Sequence, residues 1–392
     1  MRIVVKLRPC HSWVALAIPA FFLAMVPCSA QISSDRIEGL RDNTPRFHAL
    51  TGARLMIVPG QTIDNGTLVI RDGVIIAAGA AATTPLPPGA RTWYLDGRTI
   101  YAGFIDLASN VGVPPSLRPP PALMEALAET NDESPAPPSF TRPLVTRALA
   151  SRNPRVHPEQ DVALQLEFKA DDIKQVRELG FTSVIASPGT GVFRGQGALV
   201  NMGDGRDPKA LLLVPRVAHH LANEIDRSRR GVYPNSLMGS IALVRQTFYD
   251  ARWHRNATDG YATGTSPRER AEANVSLASL LPALAGRQPV FYVADDEQAY
   301  QRIAKVRDEF GLRVVVQGNG HEYRRAQQLK TLGLPVIVPL TFPAAPEVEN
   351  PDVALDSSVE SLQHWEQAPS NLVNTFQVPW HRCQSSPAAV PH

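Results

Sequence analysis

Cysteine is almost missing from this chain: Cys10, Cys28 and Cys383 are the only three in 392 residues. The first two fall in a segment expected to be removed, as argued below. One remaining cysteine excludes an internal disulfide framework and a thiolate metal cluster, so packing must supply the stability. Charge of one sign is missing too. There are 39 basic against 37 acidic residues, and losing Arg2, Lys6 and Arg8 with the same segment leaves one more acid than base. A near-neutral surface has no global electrostatic pull toward nucleic acid, and no such partner is expected. No Gly-x-Gly-x-x-Gly turn, lysine-bearing phosphate loop or Gly-x-Ser-x-Gly elbow occurs. Residues 189–197 (GTGVFRGQG) are glycine-rich, but they run into a strand pattern rather than a helix.

The one long apolar run is residues 14–26 (VALAIPAFFLAMV), preceded by basic residues and followed by Pro27-Cys28-Ser29-Ala30. That order predicts a secretory signal peptide over residues 1–30, with export to the periplasm or beyond. The run is shorter than the ~20 residues a membrane helix needs, so no stable membrane anchor is expected.

What is present divides into parts. Residues 46–102 read as short strands separated by turns, with the hairpin-type dipeptides Asn65-Gly66 and Asp72-Gly73. This predicts a small β-sandwich. Proline reaches 35 residues, about twice the usual share of ~5%. Its concentration in 113–158 predicts an extended insertion without regular helix or central strand. From residue 168 strand and helix patterns alternate. A helix over 170–179 leads to strand 182–186, another strand covers 210–214, and a helix over 236–254 carries Leu237, Ile241, Val244, Phe248 and Ala251 on one stripe. Strand 289–293 meets the helix-capping pair Asp295-Asp296, and Ala299, Ile303, Val306 and Phe310 sit at helical spacing before Gly311. Strand 313–316, helix 321–332 and strand 335–339 repeat the plan. Such alternation implies an α/β fold with a parallel sheet.

The runs ALTGARLMIVPG (49–60), NGTLVIRDGVIIAAG (65–79) and GRTIYAGFIDLASNVG (97–112) resemble the amidohydrolase superfamily, in particular its imidazolonepropionase-like branch. Residues 233–254 (YPNSLMGSIALVRQTFYDARWH) are similar to a helix of large exported members. The resemblance spans roughly residues 46–345. It implies an N-terminal β-sandwich joined at Gly103-Phe104-Ile105-Asp106 to a TIM-type α/β barrel over 103–345. It also implies a divalent metal, usually zinc, that activates water to hydrolyse C–N bonds other than peptide bonds, in small amides or cyclic amides.

The ligand positions implied by the resemblance hold other residues. Ala108 and Asn110 stand where a His-x-His pair is implied after Asp106. Ala294 and Gln317 stand where histidines are implied after the fifth and sixth strands. Lys169, Lys174, Lys209, Lys305 and Lys330 all miss the strand ends where a carbamylated lysine is implied. No zinc or other metal is therefore expected in this chain. His219 and His220 are adjacent, and on a helix would point about 100° apart. His254 ends a predicted helix. Any residual chemistry is expected at the C-terminal rim of the strands, where barrel enzymes carry their reactive groups; the candidates are Asp106, Asn110, Asp295 and His321. For His321 a place in a helix's first turn is the simpler explanation, and for Asp295-Asp296 helix capping suffices without catalysis.

Residues 346–392 read as an irregular tail, and the barrel as incomplete, through an early stop, a shifted frame or a missing partner half. An alternative is that 353–371 folds back as a helix over the open edge. Two functions stay open: a C–N hydrolase with a degenerate metal site, or a non-catalytic binding or scaffold module, such as half of a larger exported assembly. Self-association or a partner subunit follows from the open edge. The leader generates the first prediction. Intact mass of the secreted protein should begin at Gln31, and a mature form that keeps Met1 would refute export by cleavage.

Overall fold

The computed structural model describes residues 45–58, 60–118, 150–203, 208–225, 233–264, 271–340, 342–346, 355 and 357–376. The signal segment 1–30, residues 119–149 of the proline-rich insertion and residues 377–392, with Cys383, lie outside the described residues. The chain divides into two units, one ending at Tyr101 and one starting at Ala102.

In the first unit β1 (Phe47–Val58) pairs antiparallel with β2 (Gln61–Arg71), and β2 with β3 (Val74–Ala80). On its other edge β1 pairs in parallel with β4 (Arg91–Tyr94) and then β5 (Thr99–Tyr101). Ala49, Ala53 and Leu55 alternate along β1 and are buried with Val69 of β2. The described residues make a single sheet; the second layer that a sandwich needs is not among them. Asp72 and Gly73 both adopt positive φ, 49° and 81°, as the tight β2–β3 turn requires, and Asp72 also accepts from Arg46 at 3.0 Å. Asn65-Gly66, by contrast, does not turn the chain. Asn65 (φ 50°) lies inside β2 where the register shifts, and a Cβ on Gly66 would collide with the Leu55 side chain. The left-handed residue there makes a bulge instead of a hairpin.

The second unit is a mixed α/β structure around a seven-stranded, barrel-like sheet. Its strands are β6 (Phe104–Ser109), β7 (Phe181–Ala186), β8 (Phe193–Asn201), β9 (Leu212–Ala222), β10 (Val290–Val293), β11 (Val314–Gln317) and β12 (Val336–Ile337), hydrogen-bonded in that order. Among the described residues no ladder joins β12 to β6. All neighbours are parallel except at β8, which is antiparallel to both β7 and β9. A parallel neighbour needs a crossover of a dozen or more residues. Residues 187–192 between β7 and β8 are too few, so the chain turns back.

Helices α1 (Ala170–Glu178), α2 (Leu237–Ala262), α3 (Ala299–Phe310), α4 (Ala326–Leu332) and α5 (Val359–Phe376) accompany the strands. Strand burial explains the apolar runs of the sequence. Val290 and Tyr292 of β10 and Val314 and Val316 of β11 face the cluster holding Val244, Phe248, Ile303 and Phe310. Phe291 packs on the other face with Ile185 and Ala218, and Val315 and Ile337 lie against them. A strand covered on both faces reads as continuous apolar sequence rather than alternation. Phe248 anchors the helical side, its ring 5.4 Å from Phe193 and 5.1 Å from Phe310.

Three local expectations differ from what is observed. Helix α2 runs on to Ala262, so His254 lies within it; the apolar stripe stops at Ala251, but the backbone ladder continues without it. Residues 210–214 are not one strand: the chain is helical at Pro208–Leu211 and extended only from Leu212. In 346–392, read as irregular, α5 is a regular helix.

One carboxylate ties α5 to the barrel rim. Glu322, 1% exposed, begins the 3₁₀ turn after β11. Its Oε1 accepts from Asn319 N (2.9 Å), Gly320 N (3.1 Å) and Tyr300 Oη (2.8 Å), and its Oε2 from Asn371 Nδ2 of α5 at 2.6 Å. A Cβ at Gly318 would overlap this carboxylate. Glu322→Gln replaces an acceptor with a donor facing other donors, and a buried unpaired group costs ~1–3 kcal/mol. The expected outcome is a loss of stability of about 2 kcal/mol, read as a lower thermal midpoint; an unchanged melt would refute the role of this carboxylate.

Candidate functional site

The chain's chemistry-bearing residues collect at the C-terminal ends of β10 and β11. Asp295 and Asp296 follow β10, and Asn319 and His321 follow β11. With Glu297, Gln298, Arg324 and Glu360 they line an open cleft of about 380 Å³. Two of the four rim candidates, Asp295 and His321, therefore share one cleft. Asp106 and Asn110 do not line it. Asp106 Oδ1 accepts from Ala108 N at 3.0 Å on its own strand. Asn110 is exposed, and its carbonyl accepts from Val113 N at 3.2 Å.

Within the cleft the carboxylates are unequal. Asp296 caps α3, accepting from Ala299 N at 2.6 Å, and holds Arg302 at 3.0 Å through both oxygens. Capping fully explains its presence. Arg324 bridges Glu297 (3.0 Å) and Glu360 of α5 (2.8 Å), and its own pKa is raised, chiefly by the bond to Glu360. Asp295 is the carboxylate in the cleft whose side chain is committed to neither a helix cap nor an ion pair; only its backbone carbonyl is engaged, by Asn319 Nδ2 at 3.1 Å. The side chain keeps a solvent-facing surface, yet the protein crowded around its carboxyl raises its pKa; Arg194 opposes this and Asp296 reinforces it. The His321 ring stacks on His364 of α5, centroids 4.0 Å apart and planes 17° from parallel.

A second polar group lies at the ends of β8 and β9. Glu224 accepts from Arg155 Nη1 and from Gly191 N (2.7 Å), with Arg194 Nη2 at 3.8 Å. Sequence reasoning passed over Arg155, Arg194, Glu224, His364 and Glu360. They come from separate segments, and no spacing links them before the chain folds.

The histidines are placed by strands rather than helices. His219 and His220 lie on β9, where successive side chains point to opposite faces. On a strand the two rings diverge more than the about 100° that a helix would give. His219 Nε2 meets Ser279 O at 2.8 Å, and the His220 ring packs edge-on to Phe291 at 5.4 Å. Burial lowers their pKa values to about 4 and about 3. His254 Nε2 meets Glu272 O at 3.1 Å on α2.

The residues at the metal positions implied by the resemblance do not fit a metal. Ala108 and the buried Ala294 offer only methyl groups. Gln317 and Asn110 are neutral amides, poor ligands for zinc. Among the described residues no three His, Cys, Asp or Glu side chains converge on one point.

No family profile and no curated protein matches the chain. Solved structures do. An amidohydrolase from Thermotoga maritima MSB8 superposes with a TM-score of 0.55 at 17% identity, over 82% of this chain and 76% of that one. A β-aspartyl dipeptidase from Fervidobacterium islandicum AW-1 (TM-score 0.35, 8% identity, 82% and 71% covered) and a prolidase complexed with N-methylphosphonate-L-proline (0.33, 17%, 85% and 76%) also match. The first overlap shows a shared fold; the other two are too loose to carry an argument.

The buried imidazoles generate a pH prediction. Their folded pKa values lie below the unfolded value of about 6.5, so between these limits the unfolded chain binds more protons. Their contribution to stability is complete above about pH 6.5 and is lost as pH falls toward 4 and then 3. For His219 the full loss is on the order of 3 kcal/mol. Thermal midpoints should fall across this window less steeply in His219→Gln and His220→Phe than in the parent; equal slopes would refute the assignment.

Proposed function

We propose that this chain is an exported amidohydrolase-type hydrolase, built to act on C–N bonds other than peptide bonds, in which the metal centre is degenerate. The observation that carries the reading is the pairing of an amidohydrolase-like fold with alanine or amide side chains where ligands belong, at Ala108, Asn110, Ala294 and Gln317. In such folds a bound metal supplies an activated hydroxide and polarises the carbonyl. The residues present at those positions in this chain do not fit such a metal.

What the chain itself offers to a small amide or cyclic amide is the β10–β11 cleft. The Asp295 carboxylate can accept from an amide N–H. The Asn319 amide and the His321 ring line the same space, and a carboxyl with a raised pKa is suited to proton exchange. That makes Asp295 and His321 the residues whose replacement most affects any turnover.

A second reading is a binding or scaffold module, such as one part of a larger barrel assembly. It is favoured by large apolar side chains exposed at both ends of the strand order: Phe104 (59%) and Ile105 (55%) on β6, and Leu340 (60%) and Phe342 (55%) after β12. Surface of that kind drives subunit pairing or self-association.

Elemental analysis and hydrolysis assays of the purified mature chain, with and without added Zn²⁺, separate these readings. Substoichiometric metal with no zinc-dependent turnover is expected. One metal per chain, lost on substitution of His219, His220, His254 or His321, would overturn the degenerate site. Turnover without metal that survives both Asp295→Asn and His321→Gln would remove the cleft from the mechanism, and association seen by light scattering alongside inactivity would favour the scaffold reading.

A further inference from the structure

Helix α5 reaches the rim from the far end of the described chain and closes one side of the cleft, contributing Glu360 to its lining. Three contacts dock it on the turn after β11. Near its middle Asn371 is bonded to Glu322 and, at 3.1 Å, to Gly320 O. Near its start Glu360 meets Arg324. Between them His364 lies flat on His321. The first contact is a buried hydrogen bond to an amide, and the second is an exposed ion pair of small worth. The third joins two groups of the one side-chain type whose ordinary charge change falls between pH 5 and 8.

We propose that the His321–His364 stack is a pH-sensitive latch, holding the first turns of α5 against the rim while the His364 ring is neutral and releasing them when it is protonated.

The surroundings favour a neutral His364. The ring it stacks on is enclosed, with His321 Nδ1 lacking a hydrogen-bond partner. Tyr323 lies 6.1 Å from the His364 ring and parallel to it within 17°, its hydroxyl 3.5 Å from Nδ1. The charged groups facing His364 are His321, Glu322 and Arg324 from the turn and Glu360 from its own helix, with Glu297 behind Arg324. Arg324 bonds Oε1 of both Glu297 and Glu360, which offsets part of the attraction these carboxylates would exert on a new cation. Burial is the first cause lowering the His364 pKa, followed by His321 and Arg324, while Glu322 and Glu360 oppose. A second proton would set two like charges face to face at 4.0 Å beside a guanidinium. Release would carry Glu360 away and open the cleft on that side, while Asn371 keeps the rest of the helix anchored.

Hydrogen–deuterium exchange on the full mature chain, corrected for the intrinsic pH dependence of exchange, tests this. Between about pH 7.5 and about pH 5 the amides of 359–367 should lose protection by about tenfold. Leu237–Ala262 serves as reference, because acid loosening of the whole unit through His219 and His220 would accelerate it equally. His321→Phe with His364→Phe keeps flat rings that cannot titrate and should abolish the step. His364→Gln, which adds no bulk, should abolish it too if the paired variant misfolds. No step in the parent, a step that persists in these variants, or equal acceleration in the reference helix would each overturn the latch.

Discussion

The rim of the second unit depends on the hydrogen bonding of one buried carboxylate. Every contact of Glu322 is to a donor: two backbone N–H groups of the turn after β11, the Tyr300 hydroxyl from α3, and the Asn371 amide from α5. Burial and the nearby carboxylate raise the Tyr300 pKa, keeping that hydroxyl protonated as a donor. Three elements distant in sequence thus share one acceptor, and the positions of Asn319 and His321 in the cleft follow from the turn it shapes. Gly318 is required by the same arrangement, for any larger residue would displace the carboxylate.

Much of the second unit was legible because strand and helix periods differ and because glycine marks helix ends. Gly311 and Gly333 take left-handed conformations, φ 67° and 61°, closing α3 and α4 where the sequence placed their ends. Strand β8 was not legible as antiparallel, since direction is set by connection length and not by the residues of the strand. The strand holding His219 and His220 was not legible over its full length, because Pro215 and Arg216 interrupt its apolar pattern between Leu212 and Ala222. In the first unit, Asn65-Gly66 shows that a turn dipeptide specifies a left-handed residue, which a bulge uses as readily as a hairpin does.

The candidate site was half visible. Asp295 and His321 stand immediately after apolar strands, a position that a local pattern reveals. Glu360 and His364 become part of the site only through the docking of α5, and nothing in residues 346–376 announces that contact. The sequence does display what the site lacks, because a methyl side chain at Ala108 or Ala294 is as poor a ligand before folding as after it.

The antiparallel strand β8 changes the direction in which residues reach the rim. β7 and β9 each run opposite to it and so run the same way as each other, and β6, β10, β11 and β12 share that direction. Strand β8 therefore carries the chain from the rim to the opposite end of the sheet, and β9 brings it back. Arg194, near the start of β8, stands where its strand leaves the rim, whereas Asp295, Asn319 and His321 follow the ends of theirs.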